Sequence, residues 1–125
     1  MKPILIALAA FNALNGTAML LAPDLWYRLV PGASDTGPFN YHFIADIGIA
    51  FLASALGLGM AAVLQAPARR AALAPAALFL GGHATLHLSE FAHHPDSILR
   101  DMLLVVIPGL LPILILALDM KEKSQ

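Results

Sequence analysis

The chain has 125 residues, of which 59% are hydrophobic and 12% charged, with a formal net charge of −1 and a mean hydropathy of +0.78. That length suits one domain spanning residues 1–125, yet seven basic and eight acidic side chains are too few to coat a soluble protein. With no basic block, no nucleic-acid partner is expected, and with no cysteine there can be no disulfide, thiolate metal ligand or cysteine nucleophile.

The first apolar run, Ile4 to Ala22, follows Met1-Lys2-Pro3 in the manner of a secretory signal. Asn12, Asn15 and Gly16 interrupt it, and no small-x-small cleavage site precedes Pro23, so it is read as a retained helix. Trp26 and Tyr27 then suit a membrane–water interface, and Asp24 to Val30 forms either a short surface helix or a plain loop. The second run, Tyr41 to Gln65, repeats a small residue every four positions at Ala53, Gly57 and Ala61, which permits close helix approach. The Ala66–Arg70 turn leads to the third run, Ala71 to Ala92, where Gly81-Gly82 admits a neighbouring backbone or leaves space for something bound. His93 to Asp101 is read as a loop, and the fourth run, Met102 to Leu118, is expected to bend at Pro108 and Pro112. Lys121 to Gln125 reads as a solvated tail.

Each run approaches the ~20 residues needed to cross ~30 Å of hydrocarbon at ~1.5 Å per residue. Strands would leave backbone groups unpaired in lipid, so the fold class is all-α: a four-transmembrane-helix bundle in a lipid bilayer. Lys2, Arg69, Arg70, Lys121 and Lys123 fall on one side, and only Arg28 and Arg100 on the other. The positive-inside rule then makes both termini cytoplasmic, in a multi-pass cell-membrane protein, a bacterial inner membrane being the expected setting.

The chemistry-bearing residues gather on two runs. At ~100° per residue, His83, His87, Glu90 and His94 fall within about 60° of one another on the third helix, with His93 beside them. His42 and Asp46 share a face of the second helix by their i, i+4 spacing. Antiparallel helices would set Asp46 level with Glu90 and His42 level with His94, so the two stripes are expected to face each other. Asn12 and Asn15 on the first helix and Asp101 at the start of the fourth are expected to support them. A lone ionisable group within a bilayer costs on the order of 2.5–3.5 kcal/mol, so such groups normally turn inward and pair.

Imidazole and carboxylate together are ligands for iron, copper and zinc. The leading expectation is a transition-metal site at His42, Asp46, His83, His87, Glu90 and His94, near the outer face. A haem is the variant of that reading, with His42 opposite His87 or His94. Glu90-Phe91-Ala92-His93 matches the Glu-x-x-His spacing of di-iron bundles, but only once. Met19 and Met102 suit copper(I) or simple apolar filling. Such a site would serve a metal-dependent membrane oxidoreductase, a metal handler or a redox accessory subunit. The alternatives are a proton-coupled or ion-conducting small transporter, an accessory subunit of a larger membrane complex, and a hydrogen-bonded structural network; a homo-oligomer fits several of these.

Two passages, Gly16 to Gly32 (GTAMLLAPDLWYRLVPG) and Asp46 to Gly57 (DIGIAFLASALG), resemble the DoxX-like small membrane proteins. The resemblance covers roughly the first half of the chain, and implies four helices and a tie to a redox system. It carries no site residues, because the histidines of the third helix are not part of the shared pattern.

Overall fold

A computed structural model describes residues 1–93 and 95–121. It consists of helices α1 (Lys2–Leu21), α2 (Pro23–Leu29), α3 (Tyr41–Val63), α4 (Ala68–Glu90), α5 (Ile98–Asp101) and α6 (Ile107–Lys121), with no strand among the described residues. Four helical stretches are long and apolar enough to cross a membrane: α1, α3, α4 and Pro95–Lys121. The last runs from a 3₁₀ turn, Pro95–Ser97, through α5 and a π-helical segment, Met102–Val106, into α6.

Local chemistry sets the boundaries. Pro23 stands in the first turn of α2, where its missing N–H is no loss, and it halts α1 by disfavouring helical backbone in the residue before it. The Asn40 side chain caps α3 by accepting from the Phe43 N–H at 3.1 Å. Pro108 has no N–H with which to continue the regular ladder, and the π segment immediately before it lets the Ile107 N–H reach back to the Met102 carbonyl. Just before Pro108 the helix thus takes a wide turn in place of the regular one. The fourth span also begins earlier than expected, because Pro95–Asp101 coils into short helix where a loop was anticipated. Asp24 to Val30 lies mostly within α2, so the helical reading of that stretch holds.

The bundle is held by successive antiparallel contacts: α1 on α3, α3 on α4, and α4 on α6. Leu5, Leu8, Met19, Phe51, Leu58 and Leu80 fill its interior. Leu21, Leu56 and Leu78, on three different helices, are 66–81% exposed, as befits a surface bathed by lipid chains. Small residues mark each crossing. A Cβ on Gly16 would lie 2.6 Å from the Gly48 carbonyl oxygen, one on Gly57 the same distance from that of Ala72, and one on Gly109 2.7 Å from that of Leu80. Gly57 and Ala61 are therefore taken up inside the chain, whereas Ala53 is exposed.

At the end of the bundle where α1 begins and α6 ends, Arg69 and Arg70 converge on Asp119, whose side chain is 1% exposed; Arg70 Nε lies 2.8 Å from Oδ2, and Arg69 pairs with Oδ1. This clamp ties the start of α4 to the end of α6. At the opposite end, the chain between α1 and α3 folds over the bundle as a roof.

Candidate functional site

Beneath that roof lies a cavity of about 1460 Å³. Every long helix contributes to its wall: Asn12, Asn15 and Met19 from α1, Ile44 and Phe51 from α3, Phe79, His83 and His87 from α4, and Leu104 and Pro108 from the fourth span. Three contacts order the roof, the second of them internal to it. Trp26 Nε1 of α2 donates to Asn15 Oδ1 at 2.8 Å, and the Tyr27 hydroxyl donates to the Gly37 carbonyl at 2.6 Å. The third is made by Arg100, whose guanidinium lies so close over Gly32 that a Cβ there would come within 2.7 Å of Nη2. Gly32 has φ +88°, in the left-handed region that a side chain would strain, so the backbone calls for glycine, whereas the guanidinium at the end of a flexible side chain could shift.

The polar centre of the wall is Asp101, at the end of α5. It is 6% exposed and gathers three partners: Arg100 Nε at 2.6 Å, His87 Nδ1 at 3.1 Å, and Ser97 one turn earlier. Because a carboxylate oxygen can only accept, the His87 proton sits on Nδ1, leaving Nε2 as an acceptor in the neutral ring. Below His87, His83 is wrapped in rings. Its centroid lies 4.8 Å from that of His87, 5.6 Å from that of Phe51 and 6.1 Å from that of Phe79, the last nearly parallel. These contacts make a histidine at mid-span part of an aromatic wall. Glu90 and His93 complete the cavity's rim and are exposed.

Of the residues singled out from sequence, Asn12, Asn15, His83, His87, Glu90, His93 and Asp101 border this one cavity. His42 and Asp46 do not; both are exposed on the outside of α3. The stripes of α3 and α4 therefore do not meet as expected, and packing explains why. Gly48 must face Gly16 at the α1 crossing, which turns Ile44, Gly48 and Phe51 inward. Asp46, two residues from Gly48, then lies about 200° away around the helix. A haem held between His42 and His87 finds no support in this arrangement. His94 lies outside the described residues. Among those that are described, no three His, Asp or Glu side chains converge as a metal-holding group.

Several residues of the site were not anticipated. Arg100 and Trp26 were read only as an outer charge and an interface ring, and Phe51 and Phe79 carry no signal beyond apolarity. The adjacency of Arg100 and Asp101 was the one available clue. Of the two glycines in α4, Gly81 serves close packing, against Ile113 and Gly109, while Gly82 borders the cavity, and a Cβ there would meet no atom within 4 Å.

An apolar groove between α1 and the fourth span, lined by Ile4, Leu8 and Leu103 among others, shares Phe11, Leu104 and Pro108 with the cavity. The cavity thus adjoins a lipid-facing surface as well as the roofed end. No family model matches this chain, and no match is found among curated proteins or solved structures.

Proposed function

We propose that this small multi-pass membrane protein binds a lipid-soluble, amphipathic molecule, drawn from the bilayer through the α1–α6 groove. Its polar group rests against His87, Asp101 and Arg100, and its apolar body lies along Phe51, Phe79 and Leu104. The observation that carries this reading is the cavity itself, a large chamber with apolar walls and a few convergent polar groups that opens beside a lipid-facing groove. The Asp101 carboxylate holds the His87 imidazole in one tautomer, so that Nε2 is available to accept a hydrogen bond from that polar group. The resemblance of residues 16–32 and 46–57 to DoxX-like proteins favours a redox-linked role for the bound molecule. We further place both termini in the cytoplasm on the five-to-two basic asymmetry, which sets the cavity in the outer half of a bacterial inner membrane.

A metal centre is the second reading, and one observation favours it. Histidines that bind metal commonly donate their other ring N–H to a carboxylate, as His87 does to Asp101. The candidate ligands then shrink to His83, His87 and Glu90 on a single helix, whose side chains do not converge as they stand and would have to draw together around an ion. Iron, copper or zinc so held would be lost as pH falls below the ~6.5 of free imidazole, because the proton competes with the metal.

Elemental analysis and a visible spectrum of protein purified without chelator, paired with solvent extraction of the same sample, separate the two. We expect an extractable lipid-soluble molecule and less than one metal ion or haem per chain. Stoichiometric metal, or a haem band lost on His87→Ala, would replace the first reading with the second.

A further inference from the structure

We propose that Asn12 selects the cavity's ligand, its Oδ1 accepting a hydrogen bond from a hydroxyl or N–H group on a neutral molecule. The inference rests on the reading that the cavity holds a lipid-soluble ligand, and names the chemistry that ligand must carry. Asn12 is 2% exposed and borders the cavity. Its Nδ2 donates to the Leu8 carbonyl at 2.7 Å, while Oδ1 is buried with no hydrogen-bond partner among the described residues. An amide oxygen left bare in an apolar interior is costly, and most such groups in folded proteins are paired.

The neighbouring asparagine provides the contrast. Asn15 also borders the cavity, but its Oδ1 is occupied by Trp26 Nε1, and its Nδ2 points to the Met19 sulfur at 3.8 Å. One asparagine thus fastens the roof, and the other keeps an acceptor in reserve. Since Nδ2 of Asn12 is committed, the residue offers a ligand only an acceptor, which welcomes an alcohol or amide N–H and gives nothing to an ether or ketone. Asn12 lies ten residues into α1, about 15 Å along a helix that spans about 30 Å, so a cationic donor would have to shed its hydration at mid-membrane. A neutral donor carries no such penalty.

Trp26 is the chain's single tryptophan and borders the same cavity, so its emission reports on what enters. The probes are a hexylcyclohexanol and its O-methyl ether, which absorb no light in the tryptophan range and differ only in the donor. Both are titrated against the full chain in detergent micelles, with correction for partition into the micelle. The alcohol should bind the wild type about tenfold more tightly than the ether, the range of one buried hydrogen bond gained or denied. In Asn12→Leu that preference should vanish, chiefly through loss of alcohol affinity. Equal affinities of alcohol and ether for the wild type would overturn the role of Asn12 while leaving the cavity reading intact. So would a preference that persists in Asn12→Leu. If neither probe alters Trp26 emission, the cavity reading itself fails and the proposal falls with it. The wild-type comparison decides even if the variant does not fold.

Discussion

Asp101 is the residue on which the site's polar wall turns. Its carboxylate is buried and takes hydrogen bonds from Arg100, His87 and Ser97, so removing it strands several donors at once, whereas removing His87 costs it one partner of three. These donors are partly exposed, so water recovers part of the loss, but three hydrogen bonds at about 0.5–1.5 kcal/mol each still outweigh the single one that His87 makes. Asp101→Ala should therefore lower the melting temperature in detergent clearly more than His87→Ala. Equal losses would mean that Asp101 is no hub. The sequence marks both residues as candidates, because a histidine stripe and an acidic residue at a helix start are visible in one dimension. What it does not reveal is that they are each other's partner. That depends on Pro95–Asp101 coiling into short helix, where polar residues beside a proline read as loop.

Helices are legible where they are apolar, and their rotation is legible only where the contacts that fix it are. All four spans are foreseen within a few residues at most ends, since twenty apolar positions in a row have few other uses. The facing of α3 is not foreseen. Polarity suggested that His42 and Asp46 turn inward, but rotation is set by the closest backbone approach, at Gly16 and Gly48. The same logic yields a test. A methyl group on Gly16 or Gly57 would press on a neighbouring helix's carbonyl oxygen at 2.6 Å, whereas one on Gly59 meets nothing within 4 Å. Gly16→Ala and Gly57→Ala should each destabilise by about 1–3 kcal/mol, the usual range for overpacking. Gly59→Ala should stabilise by up to ~1 kcal/mol through helix propensity. Thermal unfolding of the three variants checks the ordering, and a stable Gly16→Ala would mean that the α1–α3 crossing is looser than described.

Across the whole molecule, the two ends of the bundle are built differently. One is closed by Asp119 between Arg69 and Arg70, a clamp that joins residues about fifty positions apart. Antiparallel order alone places these residues at one level, so it was within reach of sequence reasoning, although the charges were used only for orientation. The other end is opened into a chamber, roofed by α2 and the turn that follows it. A void is the least legible feature of all, because it is made by what side chains leave unfilled, and no single residue declares it. The account stands or falls on whether that chamber is a binding site. Gly82 gives access to the question, since it borders the cavity and a Cβ there would meet no atom within 4 Å, leaving room for a larger side chain at the cavity's edge. Native mass spectrometry of the wild type and Gly82→Phe, each released from the same lipid mixture, measures occupancy. We expect the wild type to carry one lipid-soluble molecule per chain and Gly82→Phe, folded to the same helix content, to carry none. A wild type released empty from that mixture, or a Gly82→Phe variant with undiminished occupancy, would contradict the central claim.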